Sequence, residues 1–133
     1  MKTAITAVQT VYDHLVQANA KAATGITGGI WLLRRPKNSA KEDIVVNVIT
    51  MNADPMQEGV LNVNIHVPNL VLATDDTQPD IERMDKIATA LIPKLADIWG
   101  PDWNFRIEEP ATPVPDGNNW FMNIRIRYWG LRN

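Results

Sequence analysis

The chain has 133 residues, of which 45% are hydrophobic and 21% charged, and its formal net charge is −2 at pH 7. The absence of cysteine excludes disulfides, thiolate nucleophiles and Cys-ligated zinc, and the lack of a basic surplus argues against a protein that grips nucleic-acid phosphates. We expect residues 1–133 to form a single domain. With only His14, His66 and Ser39 available for hydrolase chemistry, composition favours a protein that is not an enzyme.

The N-terminal segment carries no recognisable targeting signal. Polar residues interrupt the first six positions every two or three residues, whereas a signal peptide needs a continuous apolar run. We therefore expect a chain without a membrane segment that is intracellular at synthesis.

The first element is a predicted helix from Thr3 to about Asn19, which the glycine-containing stretch Lys21–Gly29 ends. Its apolar side chains recur at helical spacing and form one stripe. The members of this stripe are Ile5, Val8, Tyr12 and Leu15.

Three strands are predicted next, at Ile30–Arg34, at Ile44–Met51 and at 61–67. In the third strand four apolar residues alternate with three polar ones. Such a strand has one buried and one solvated face, which is typical of an antiparallel sheet. The polar members are Asn62, Asn64 and His66.

A second helix is predicted from Asp80 to Trp99, with Asp80 as its N-cap and Gly100 as its stop. Pro93 lies inside this span and should kink the helix. Because the apolar rhythm continues past Pro93, we expect one bent helix that ends at Trp99, with the Trp99 side chain in the core.

The remaining elements are a strand at Phe105–Glu108, a stiff proline-containing loop and a last strand at Asn119–Trp129. The element order is then α-β-β-β-α-β-β. The expected fold class is α+β, a two-layer architecture of an antiparallel sheet with two helices packed on one face. The prolines of the loop are Pro110, Pro113 and Pro115.

No residue set indicates a catalytic, cofactor-binding or metal site, and we expect no cofactor. Two surfaces are candidates for other functions. The first is a polar or lumen-facing strip on the solvated sheet face, consisting of Asn62, Asn64, His66, Arg125 and Arg127. The second is a set of apolar residues expected at an oligomer or partner interface, consisting of Met56, Leu70, Val71, Leu72, Trp103 and Trp129.

The order of elements and the local sequence together resemble a family, the tail terminator or tail-completion proteins of long-tailed bacteriophages, often found in prophages. The segment 61–68 is similar to the family's third strand, and the segments 103–107 and 121–126 are similar to its closing hairpin. The resemblance covers essentially the whole chain. It is a similarity of elements, so no functional residue is carried over from the family.

The resemblance implies a virion structural protein for head-tail joining. Such a protein forms a ring, commonly a homo-hexamer, which caps the tail tube and meets the head connector or adaptor protein. DNA passes through its lumen without specific contact. The expected location is the tail-head junction of the virion, with the host cytoplasm during virion assembly.

Three other interpretations stay open at the level of sequence. The chain could be another neck protein, such as a head-closure protein or head-tail adaptor. It could be a small α+β binding domain with a weak, non-specific nucleic-acid face around Arg125 and Arg127. It could also be an enzyme that holds a metal through Asp75, Asp76 and Asp80.

Overall fold

The computed structural model describes residues 1–132. The helices are α1 (Ala4–Gln17), α2 (Ala20–Thr24) and α3 (Ile81–Leu91), and a 3₁₀ turn at Ile92–Lys94 follows α3. The strands are β1 (Ile30–Leu32), β2 (Asp43–Met51), β3 (Met56–His66), β4 (Asp97–Trp99), β5 (Trp103–Asp116) and β6 (Asn119–Leu131).

The six strands form one sheet in the order β1-β2-β3-β6-β5-β4. The α+β class predicted from the sequence is confirmed, but the prediction of a fully antiparallel sheet is wrong because β1 pairs with β2 in parallel. The reason is the connection at 33–42, which returns the chain so that β2 starts beside the start of β1. All other neighbouring strands are antiparallel.

The buried apolar side chains form one cluster between the helices and one face of the sheet. Burying one Val, Leu, Ile, Phe or Met side chain stabilises a fold by about 1.5–3 kcal/mol. Alternate residues of β3 belong to this cluster, as their period-two pattern predicts. Its members include Val11 and Leu15 of α1, Met84, Ile87 and Leu91 of α3, Leu61, Val63 and Ile65 of β3, Phe105 of β5, and Ile124, Ile126 and Tyr128 of β6.

The second predicted helix is shorter than its apolar rhythm indicated. Asp80 caps its start, since its carboxylate accepts a hydrogen bond from the Arg83 N–H at 3.2 Å. Pro93 lacks an N–H and its ring clashes with the preceding turn, so α3 ends at Leu91 and a 3₁₀ turn follows. The chain then becomes β4, and Trp99 is 71% exposed and outside the core.

The prolines predicted to lie in a loop are part of β5. Beyond Arg106 no strand among residues 1–132 pairs with the outer edge of β5, and the register with β6 shifts twice between Ile107 and Thr112. Proline is tolerated on such an edge and at such irregularities because no ladder hydrogen bond is lost. The order predicted from the sequence, α-β-β-β-α-β-β, omits two elements that the structure contains, α2 and β4.

An ion pair between Glu42 and Arg83 ties the start of β2 to α3. Arg83 donates from Nε to Oε2 of Glu42 at 2.5 Å and from Nη2 to Oε1 at 2.8 Å. The same carboxylate accepts from the Thr27 N–H, and Arg83 also donates to the Gly25 carbonyl. The pair thus also fixes the glycine-containing connection between α2 and β1.

We predict that Arg83→Met lowers the free energy of unfolding by about 2–4 kcal/mol, because it leaves a nearly buried carboxylate unpaired. The double variant Glu42→Gln, Arg83→Met should recover part of this loss. Urea denaturation at pH 7 measures both values. An Arg83→Met variant as stable as the natural protein would contradict this role.

The same pair predicts a pH dependence. The hydrogen bonds from Arg83 outweigh burial and lower the pKa of Glu42 below its ordinary 4.5. A lowered carboxyl pKa means that the stabilisation is present above pH 4.5 and is lost as the pH falls through the folded-state pKa. The Glu42→Gln variant should show a correspondingly weaker loss of stability on acidification.

Candidate functional site

The five residues of the predicted polar strip share the sheet face opposite the core cluster, which we call the outer face. In the register of β3 with β6, Asn62 lies opposite Arg125, and Arg127 lies opposite Val60. Asn64 and His66 continue the same alternation along β3. The structure therefore brings these five side chains onto one surface.

Four asparagines form a hydrogen-bond network across three strands of the outer face. The Nδ2 of Asn123 donates to Oδ1 of Asn62 at 2.9 Å and to Oδ1 of Asn64 at 2.7 Å. The Nδ2 of Asn62 donates in turn to Oδ1 of Asn47 at 2.9 Å. Asn47 and Asn123 were outside the predicted strip. Alternation along the last strand places Asn123 on the same face as Arg125 and Arg127, whereas Asn47 is placed there by the register of β2 with β3.

The arginines of the strip are paired with carboxylates. Arg127 contacts Glu108 and lies 3.5 Å from Oε2 of Glu58, and Arg125 lies 3.6 Å from Oε1 of Glu109. These partners come from β3 and β5, on either side of β6. Their charges offset those of the guanidinium groups, so this part of the outer face is not a basic surface.

His66 is half-buried at the end of the strip. Its ring lies 5.3 Å from that of Phe121, measured between centroids. Burial is the main reason that the pKa of His66 falls to about 4, and the positive charge of Arg35 lowers it further against the opposing effect of Asp116 and Asp43. The imidazole is therefore neutral at physiological pH.

The six predicted interface residues separate into two groups at opposite ends of the sheet. Leu70, Val71 and Leu72 follow β3 and lie beside the β5–β6 turn, where Asn69 donates to the Asn118 carbonyl. Val71 is 93% exposed. We call residues 70–72 the apolar loop.

Met56, Trp103 and Trp129 lie at the other end of the sheet, around a groove of about 180 Å³. The groove also includes Trp99 and Leu131, both exposed, which the sequence did not indicate as a site. We call it the tryptophan groove. Because β3 has 11 residues at about 3.3 Å each, the two ends of the sheet are about 33 Å apart.

The aspartates considered as metal ligands have other contacts. Asp75 Oδ1 accepts hydrogen bonds from the N–H and the hydroxyl of Thr77, and Asp80 caps α3. Among residues 1–132 no group of three or more His, Asp or Glu side chains is placed to hold a metal ion. In the same range, no helix is long and apolar enough to cross a bilayer.

Comparison with known proteins adds information about the fold only. No protein-family model and no curated protein matches the chain. One solved structure, whose name describes no function, is similar over 95% of this chain and 94% of its own, with a TM-score of 0.56 and 14% sequence identity. At this identity the similarity shows a shared fold and nothing about function.

We predict that the His66 imidazole titrates with a midpoint near pH 4 in the folded protein, compared with 6.5 for an ordinary histidine. His66 binds a proton at a higher pH in the unfolded chain than in the folded protein. The free energy of unfolding should therefore decrease as the pH falls from 6.5 towards 4. An NMR titration of the ring protons gives the midpoint. A midpoint at 6.5 would show that the side chain is solvated.

Proposed function

We propose that the chain is a structural protein of a long-tailed phage or prophage virion, a tail terminator that forms a ring capping the tail tube. The observation that carries the proposal is the placement of two exposed apolar surfaces at opposite ends of one sheet. The α+β fold and the similarity of the segments 61–68, 103–107 and 121–126 to that family support it.

Surfaces at opposite ends of a subunit favour head-to-tail association. If the apolar loop of one copy contacts the tryptophan groove of the next, the pair keeps one free loop on one copy and one free groove on the other. Such heterologous contacts propagate until rotation closes a ring. Exposed tryptophans are frequent in the best-packed part of such interfaces.

In the described part of the chain, unpaired charges of opposite sign lie beside the two surfaces, since Asp102 in the groove is paired with Lys2 at 2.9 Å. Asp76 is exposed next to the apolar loop, and hydrogen bonds from Thr77 and Gln78 lower the pKa of Asp75, which keeps that carboxylate charged. Arg132 lies beside the tryptophan groove and makes no ion pair within residues 1–132. These charges would favour the loop-to-groove orientation.

In this proposal the protein forms a homo-hexamer at the tail-head junction. The tail tube protein lies on one side of the ring and the head connector on the other, and assembly takes place in the host cytoplasm. The paired arginines of the outer face suit a lumen through which DNA passes without being held, because their charge is already offset.

We predict that Val71→Glu and Trp99→Glu each abolish self-association, and that mixing the two variants yields dimers only. Each variant retains one intact surface, and the two intact surfaces complement each other once. Light scattering after size exclusion measures the masses, with Ile81→Glu as a control at an exposed apolar position elsewhere. A mixture that stays monomeric, or a single variant that still dimerises, would exclude the loop-to-groove contact.

We also expect the protein to cap purified tail tubes. Electron microscopy of tubes from the source phage or prophage should show a terminal ring with the natural protein and bare ends with Val71→Glu. Tubes left bare by the natural protein would reject the terminator function. Binding to the head connector without capping would assign the chain to the head side of the neck.

A further inference from the structure

A cleft of about 530 Å³ lies on the outer face at the end of the sheet near β1. The connection after β1 forms one wall, and β2 and β3 form the floor. Both ends of that wall have left-handed backbone, with φ of 64° at Leu33 and 56° at Asn38. The lining residues are Leu33, Arg34, Arg35, Pro36, Lys37, Asn38, Val45, Asn47, Asn64 and His66.

The asparagine network directs hydrogen-bond donors to the floor of this cleft. Oδ1 of Asn47 and Oδ1 of Asn64 both accept from neighbouring asparagines. Each carboxamide has two N–H donors on its nitrogen, and those of Asn47 and Asn64 make no hydrogen bond among residues 1–132. Asn64 is only 8% exposed, so its donors are at the base of the cleft.

The wall of the cleft supplies positive charge without a carboxylate among the lining residues. Arg34 and Lys37 form no ion pair within the described part of the chain. Arg35 lies 3.8 Å from Oδ2 of Asp43. That carboxylate is already engaged, because it accepts from Gly29 N–H, the Trp31 indole and the Ser39 hydroxyl.

We propose that this cleft binds a phosphate group carried by a nucleotide or by a nucleic-acid strand. The cations Arg34 and Lys37, unpaired among residues 1–132, and the carboxamides of Asn47 and Asn64 line it, and a phosphate offers negative charge and several acceptor oxygens that match them. Leu33, Pro36 and Val45 add apolar surface against which a sugar or base can lie. The volume is within the range of small-ligand sites.

The proposal does not depend on ring formation. Its site is distinct from both the apolar loop and the tryptophan groove, and it is complete within one chain. It also differs from the nucleic-acid face expected around Arg125 and Arg127, where the charges are paired.

The test is an NMR titration of the full chain at low salt with three probes: inorganic phosphate, adenosine monophosphate and a short single-stranded oligothymidylate. All three should shift the side-chain amide signals of Asn47 and Asn64. Arg34→Gln with Lys37→Gln should weaken binding at least about tenfold. Tighter binding of the oligonucleotide, with a steep salt dependence, assigns a nucleic-acid strand, and tighter binding of the mononucleotide assigns a free nucleotide.

Two matched variants distinguish binding in the cleft from a general effect of added negative charge on phosphate binding. Asn64→Asp keeps an oxygen for Asn123 but replaces the donor with a negative charge, so it should abolish binding. Asn104→Asp adds the same charge on β5, at the other end of the outer face, and should leave binding unchanged. The proposal is overturned if no probe shifts the two amide signals at millimolar concentration, or if Asn104→Asp weakens binding as much as Asn64→Asp.

Discussion

Apolar side chains cover one face of the sheet, and on the other face several polar side chains hydrogen-bond or pair with one another. This division follows from the alternation in β3, where Leu61, Val63 and Ile65 enter the core. On the outer face the result is the asparagine network and the arginine–glutamate pairs, which use strands far apart in the sequence. Around Arg125 and Arg127 this pairing offsets the positive charge of the guanidinium groups.

The two apolar surfaces proposed for association lie at the ends of the sheet. The long strands β3 and β6 separate the apolar loop from the tryptophan groove by about 33 Å. A head-to-tail ring covers both apolar surfaces of every subunit. The proposed ring uses surfaces at the two ends of the same long strands that carry the outer face.

Alternation and capping predicted much of this fold from sequence, including β3, β6, α1 and the Asp80 cap. The end of α3 was not predictable from hydrophobic rhythm, because Leu95 is buried on either interpretation and the local effect of Pro93 decides the backbone. Pro110, Pro113 and Pro115 indicated a loop because nothing local shows that β5 has a free edge. The polar strip was predictable, whereas Glu58, Glu108 and Glu109 were not, since their pairing requires the strand register.

The absence of cysteine allows the central claim to be tested by placing single thiols at the two ends. Val71→Cys and Trp99→Cys alone should each fail to cross-link under oxidation, and a chain with both substitutions should give a ladder of covalent oligomers ending in one closed species. This is the pattern of a head-to-tail ring. A covalent dimer from either single-cysteine variant, or no cross-link from the double variant at high concentration, would contradict the account.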